Sequence, residues 1–240
     1  MKLSEIFNQL AYGELSQTGM VDSTTGLMIT TKYGQLVSHI NLGLTALHKR
    51  FPLKEGRLTL ALQAGRLTYP LNTSDDVIII EGGEGDEEFN DDILKIERVY
   101  SSSGTELGLN NETNPLSCFT PKATVLRVPA LIVDKSLDLP SDLQTDTLTV
   151  VYRANHAILA APASLNPARV EVDLPYSHLE PLLLYVASRV MTPMGAGQFE
   201  GQGGNNYYAK YEASCAHLES TNLRVDQDSQ NSRMERNGWV

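Results

Sequence analysis

Apolar residues at helical spacing occur at both ends of the chain. Near the start, four of them recur three and four positions apart and predict a short amphipathic helix: Leu3, Ile6, Phe7 and Leu10. A longer apolar stripe predicts a second helix over residues 31–51, which ends before Pro52 because proline disfavours the helical conformation of the preceding residue. The same period predicts a third helix over about residues 179–190 and a fourth over about 206–223.

Between these helices the apolar residues alternate with polar ones, a period of two that is typical of β-strands. Residues 58–62 and 67–71 predict a β-hairpin with Gly65 at its turn. Pro70 indicates that the second of these strands lies at a sheet edge, because proline has no N–H for a ladder hydrogen bond. Further short strands are predicted at residues 77–80, 93–100, 106–109, 123–133 and 147–153.

These elements predict an α+β fold in which helices from both ends of the chain form one helical bundle. The bundle is expected to comprise residues 1–56 and 172–223, and the inserted residues 57–171 to form an antiparallel β sandwich or barrel-like module. Residues 195–204 are rich in glycine and predict a flexible connector between the last two helices. Residues 224–240 predict an extended C-terminal tail. The two ends of the chain are therefore expected to meet in space.

The amino-acid composition limits the kinds of molecule that the protein is expected to bind. The 240 residues contain 19 Lys and Arg against 29 Asp and Glu, a formal net charge of -10, which argues against tight binding of nucleic acid. Hydrophobic residues make up 41%, enough for a folded core. The chain has no apolar run long enough for a transmembrane helix and no signal-peptide pattern at its start. Folding in a cytoplasm, with no membrane partner, is the expectation.

The sequence contains none of the common catalytic motifs. The zinc-protease, Cys-x-x-Cys, nucleophile-elbow, Walker and dinucleotide patterns are absent. Five histidines have no partner at a known ligand spacing: His39, His48, His156, His178 and His217. We therefore expect neither an enzyme nor a bound cofactor or metal.

The segment whose amino-acid composition departs most from the average is acidic. Residues 81–92 contain seven carboxylates and no Lys or Arg. A solvated loop of mutually repelling charges is one interpretation. A contact with a basic partner, a channel lining and a divalent-cation site are the others, since hard cations bind clustered carboxylates.

Two aromatic features suggest contacts with other molecules. Tyr207, Tyr208 and Tyr211 cluster on the last predicted helix, where packing between helices or against a neighbouring subunit is favoured over stacking on nucleic acid. The only tryptophan, Trp239, lies in an otherwise polar tail and suits a partner's pocket better than solvent, although folding back on its own domain is the alternative. The proposed docking residues of the tail are Arg233, Met234, Arg236, Trp239 and Val240.

Three segments together resemble a known family. They are residues 46–51 (ALHKRF) at the end of the second helix, residues 65–71 (GRLTYPL) at the start of the β module, and residues 236–240 (RNGWV) in the tail. With the tyrosine-bearing last helix, they resemble the head-to-tail adaptor (connector) proteins of tailed bacteriophages, and the architecture is similar to the tail tubular protein A type. The chain is longer than that type, mostly in the β insert.

The resemblance implies a structural protein of the virion neck, assembled in the host cytoplasm. Such proteins form a homo-oligomeric ring, usually dodecameric, beneath the portal protein. Their helical part contacts the portal and neighbouring subunits, the β part faces outward or toward the tail protein (a nozzle or tail tube), and the C-terminal tail embraces the portal. DNA passes through without specific binding, which the charge of -10 suits. The alternative is a β-sandwich module that binds calcium or carbohydrate through the acidic loop.

Overall fold

The computed structural model describes residues 1–73, 79–81, 89–109, 120–122, 125–128, 146–162, 164–194 and 202–221. Within them the protein is α+β, with four α-helices and antiparallel sheets. The chain divides into two compact units, residues 1–47 with 157–240 and residues 48–156. We call the first the helical unit and the second the β unit. These boundaries differ from the predicted 56/57 and 171/172, since residues 48–56 belong with the strands and 157–171 with the helices.

The four helices are α1 (Leu3–Tyr12), α2 (Tyr33–Arg50), α3 (Leu179–Met194) and α4 (Gln202–Ser220). All four were predicted from the apolar period, and α3 begins at the expected residue. Pro181 lies in the first turn of α3, where its missing N–H would have no intrahelical partner. The connector predicted over residues 195–204 was placed too far along the chain at its C-terminal end, because residues 202–204 already belong to α4. Residues 195–201 lie outside the described part.

The first helix is joined to the segment that follows the β unit. The N–H of Leu3 donates a 3.0 Å hydrogen bond to the carbonyl of Val170. Lys2 and Glu171 form an antiparallel bridge. The beginning of the chain therefore meets residues about 170 positions later, as the split arrangement required.

A glycine allows α2 and α3 to approach closely. A Cβ at Gly43 would lie 2.7 Å from Cδ1 of Leu182 and 3.0 Å from Cδ1 of Tyr185, both on α3. Real Cβ atoms do not occupy the shorter of these distances, so a residue larger than glycine would force the Leu182 side chain to move. The same stretch of α2 buries Ile40 and Leu44 in the core of the helical unit.

The β unit contains two antiparallel sheets. The strands of the larger one are β1 (Glu55–Ala61), β3 (Ile79–Glu81), β4 (Ile93–Ser101), β5 (Glu106–Leu107) and β8 (Thr147–Ala154). Their order is β3-β1-β8-β4-β5. The strands of the smaller one are β2 (Thr68–Pro70), β6 (Thr120–Lys122) and β7 (Val125–Arg127), in the order β2-β7-β6. Both sheets contribute to one hydrophobic core, for example through Leu60 and Val150 from the larger and Leu126 from the smaller.

The predicted hairpin between the first two strands is wrong. β1 pairs on one side with β3 and on the other with β8, so neither of its edges is open to β2. β2 pairs instead with β7 in the other sheet. Gly65 still occupies a turn, with a φ of 75°, and the Tyr69 hydroxyl closes that turn by bonding both the N–H and the carbonyl of Gln63. The expectation from Pro70 is confirmed, since β2 lies at the edge of its sheet in the described part.

Candidate functional site

The tyrosines of α4 separate into an inner and an outer group. Tyr211 is only 4% exposed, and its ring stands edge-on to Tyr185 of α3 at a centroid distance of 5.2 Å. An edge-to-face aromatic pair at this distance stabilises the contact beyond the area that it buries. Tyr211 therefore holds α3 and α4 together within one chain.

Tyr207 and Tyr208 lie one turn earlier, on the outer side of α4. Tyr208 is 48% exposed, and its ring lies 5.6 Å from that of Tyr211. The Lys210 ammonium lies 5.3 Å from the ring centre of Tyr207, within the range of a cation–π interaction. We call Tyr207, Tyr208 and Lys210 the tyrosine surface. Tyrosine is enriched in contacts between proteins, so the two tyrosines suit such a contact.

Two residues of this region, Tyr185 and Arg189, were not predicted from the sequence to belong to a contact surface. Tyr185 lies three positions after Leu182 and so had the spacing of the apolar stripe of α3. Arg189 follows one turn later, with its guanidinium carbon 5.6 Å from the centre of the Tyr185 ring. Burial, and then the positive charge of Arg189, lowers the pKa of His39 on α2. The region thus joins α2, α3 and α4.

Exposed apolar side chains are distributed unevenly between the units. In the described part of the chain six large apolar side chains are exposed: Tyr12, Leu27, Leu42, Ile158, Tyr176 and Tyr208. All six belong to the helical unit. Exposed apolar area beyond isolated residues is typical of surfaces that contact another molecule.

Two carboxylates of the acidic stretch are engaged within the β unit. Asp91, at a φ of 56°, accepts hydrogen bonds of 2.7 and 2.5 Å from the N–H and hydroxyl of Thr73. Asp92 lies 3.6 Å from the Lys54 ammonium and accepts a 3.3 Å bond from the Tyr152 hydroxyl. These two carboxylates therefore fix local structure. Residues 82–88, which carry four others, lie outside the described part.

Within the part of the chain that the structure describes, the histidines do not form a metal-binding group with acidic side chains. His48 and His156 are both buried in the β unit, with ring centroids 5.8 Å apart, and the Nδ1 atom of His48 lies 3.2 Å from the Ala154 carbonyl oxygen. His178 is buried in the helical unit, and its burial lowers its pKa. Among the described residues, no group of three or more His, Cys, Asp or Glu side chains is placed to hold a metal ion.

The tail residues Arg233, Met234, Arg236, Trp239 and Val240 lie outside the described residues. The predicted docking role of the tail stays a prediction. In the described part of the chain, no helix has both the length and the hydrophobicity needed to cross a membrane.

Comparison with known proteins leaves the family open. The chain matches no protein-family model, and no curated protein that it was compared with matches it.

Proposed function

We propose that this protein is a structural head-to-tail adaptor of a tailed bacteriophage, which forms a ring between portal and tail and lets DNA pass. One observation carries the proposal. All six exposed large apolar side chains of the described part lie in the helical unit, the part to which the resemblance assigns contacts with the portal and neighbouring subunits. A subunit of a permanent ring must present apolar side chains that neighbours cover.

The division of the chain supports the same proposal. The helical unit is assembled from both ends of the chain, and the β unit from the continuous stretch between them in the sequence, which is the layout that the resemblance implies. In this proposal the four helices form the bundle beneath the portal, and the two sheets form the sandwich that faces outward or toward the tail protein. The tyrosine surface packs on a neighbouring subunit, and Trp239 anchors the tail on the portal.

The direct test is electron microscopy of portal rings with and without this protein. We expect an additional ring of density on the symmetry axis of the portal. Portal rings that stay unchanged, with this protein remaining monomeric in sedimentation velocity, would contradict the proposal.

The role of the tail is tested separately. We expect Trp239→Ala to weaken binding to the portal by about tenfold or more, since buried aromatic anchors dominate such interfaces. Val225→Ala, which also removes an apolar side chain from the tail, is the matched control and should bind normally. Equal binding by both variants would show that the tryptophan is not the anchor.

A β module that binds calcium or carbohydrate through the acidic loop has less support. Asp91 and Asp92 are occupied by Thr73, Lys54 and Tyr152, which leaves fewer carboxylates of the stretch for a ligand. Titration calorimetry with calcium and with an oligosaccharide tests this alternative. Heat that saturates at about one ligand per chain would favour it over the adaptor.

A further inference from the structure

A stretch of apolar residues lies exposed where the chain leaves the β unit. Ile158 is 78% exposed, the highest value among the exposed large apolar side chains. Ala157, Ala160, Ala161 and Pro162 are exposed as well. We call residues 157–162 the apolar segment. Between Arg153 and Arg169 the sequence contains no Asp, Glu, Lys or Arg.

One edge of this segment is held by a side chain of α2. The N–H of Leu159 donates a 3.0 Å hydrogen bond to Oδ1 of Asn41, and Nδ2 of Asn41 donates a 3.0 Å bond to the Leu159 carbonyl. The amide of Asn41 thus bonds both main-chain groups of one residue, as a residue of a neighbouring β-strand does. The contact fixes the segment on the helical unit without a strand.

The main-chain groups on either side of Leu159 are left open. Asn41 takes up those of Leu159, and those of its neighbours Ile158 and Ala160 are not part of that contact. Neither residue makes a hydrogen bond with any described residue. An exposed edge of this kind is a template for pairing with another extended chain.

We infer that the apolar segment is the edge on which a second copy of this chain pairs, an inference that rests on the proposed ring and names one of its contact surfaces. Copies with a charge of -10 repel each other, and the uncharged stretch around Ile158 is where they approach at the smallest electrostatic cost. A basic partner would instead be recognised through carboxylates, which this stretch lacks. Because a ring needs two different surfaces per subunit, the paired strand of the neighbour lies outside residues 157–162.

Two variants test the side chain and the main chain of this contact. Ile158→Asp adds a charge at an exposed position, and Ala160→Pro removes an N–H on the open edge. Ala64→Pro is the matched control, since it makes the same exchange at an exposed alanine outside the apolar segment, at the second position of the turn from Gln63 to Arg66, where proline is favoured. Each variant is compared with the unchanged protein by sedimentation velocity, alone and with portal rings, after circular dichroism has verified its fold.

We expect Ile158→Asp and Ala160→Pro each to weaken assembly by about tenfold or more, and Ala64→Pro to assemble nearly normally. Hydrogen exchange at residues 157–162 should slow in the assembled protein relative to the free subunit. Normal assembly by Ile158→Asp and Ala160→Pro, with unchanged exchange at these residues, overturns the inference and leaves the adaptor function intact. Failure of the unchanged protein to assemble, alone or on the portal, overturns the proposed function and the inference together.

Discussion

The helical unit and the β unit use their apolar side chains differently. The β unit comes from one continuous stretch, residues 48–156, and its two sheets bury leucine, isoleucine, valine and tyrosine side chains in one core. The helical unit is assembled from both ends of the chain and leaves large apolar side chains exposed on α2, on α4 and in the apolar segment. In the described part of the β unit no large apolar side chain is exposed.

The difference indicates where a neighbour would add more stability. The described strands cover their own apolar side chains, whereas the exposed tyrosine, leucine and isoleucine side chains of the helical unit gain free energy when they are covered. Association is therefore expected to stabilise the helical unit more than the β unit.

The largest expected effect separates the inner from the outer tyrosines of α4. Tyr211→Ala should lower the free energy of unfolding of the helical unit by about 3–5 kcal/mol, because it leaves a cavity beside Tyr185. Tyr208→Ala should lower it by only about 0.5–1.5 kcal/mol, since it removes a half-exposed ring that packs beside Tyr211, while it weakens assembly. Urea unfolding and sedimentation velocity measure the two quantities. A similar loss of stability in both variants would show that Tyr208 is structural.

A smaller effect compares two glycines of α2. Gly43→Ala should lower the free energy of unfolding by about 1–3 kcal/mol, because its Cβ would collide with Leu182 and Tyr185. Gly34→Ala, where no atom lies within 4 Å of the added Cβ, should raise it by up to about 1 kcal/mol through helix propensity. Thermal unfolding followed by circular dichroism shows whether each variant is less or more stable than the unchanged protein. A stabilising Gly43→Ala would disprove the close contact of α2 with α3.

The β unit has its own test at Asp91. Asp91→Ala should lower the free energy of unfolding by about 1–2 kcal/mol, since it removes two bonds to Thr73 and places alanine at a positive φ. Asp91→Asn keeps an acceptor oxygen and tolerates this backbone conformation, so its loss should be smaller. Hydrogen exchange should locate the change in the β unit. Faster exchange in α1 and α2 would show that the two units unfold together.

The smallest expected effect is a pH dependence of the helical unit. Burial lowers the pKa of His178 below the usual 6.5, and burial with the charge of Arg189 does the same for His39. The unfolded chain therefore binds protons more readily, and the helical unit loses stability as the pH falls below about 6.5. Urea midpoints between about pH 7.5 and pH 5.5 measure this loss. His39→Gln should reduce the slope, and an unchanged slope would exclude His39 as a cause.

The helices were predictable and the strand partners were not. An apolar stripe fixes both the helix and its buried face, so α1, α2 and α3 follow directly from local spacing. Alternation fixes the two faces of a strand but not its neighbour, and β1 finds its longest partner, β8, about 90 residues later. The predicted hairpin failed because it assumed that the nearest strand is the partner.

The candidate site was predictable only as a group of residues. The sequence placed Tyr207, Tyr208 and Tyr211 on one helix, but only the position of α3 shows that Tyr211 is covered and Tyr208 is not. The apolar segment has neither the helical nor the strand period, so its sequence predicts no secondary-structure element. Its one sequence signal is the absence of charge between Arg153 and Arg169.

The bond between Leu3 and Val170 also sets an order of events during synthesis. The ribosome must translate the whole β unit before the partner of the first helix leaves its exit tunnel. At roughly 5–20 residues per second, α1 waits on the order of ten to thirty seconds for that partner. The middle of the chain can therefore finish folding first, while the apolar faces of α1 and α2 stay uncovered in the nascent chain. This interval is when a chaperone would meet the protein, and residues 1–47 are where it would bind.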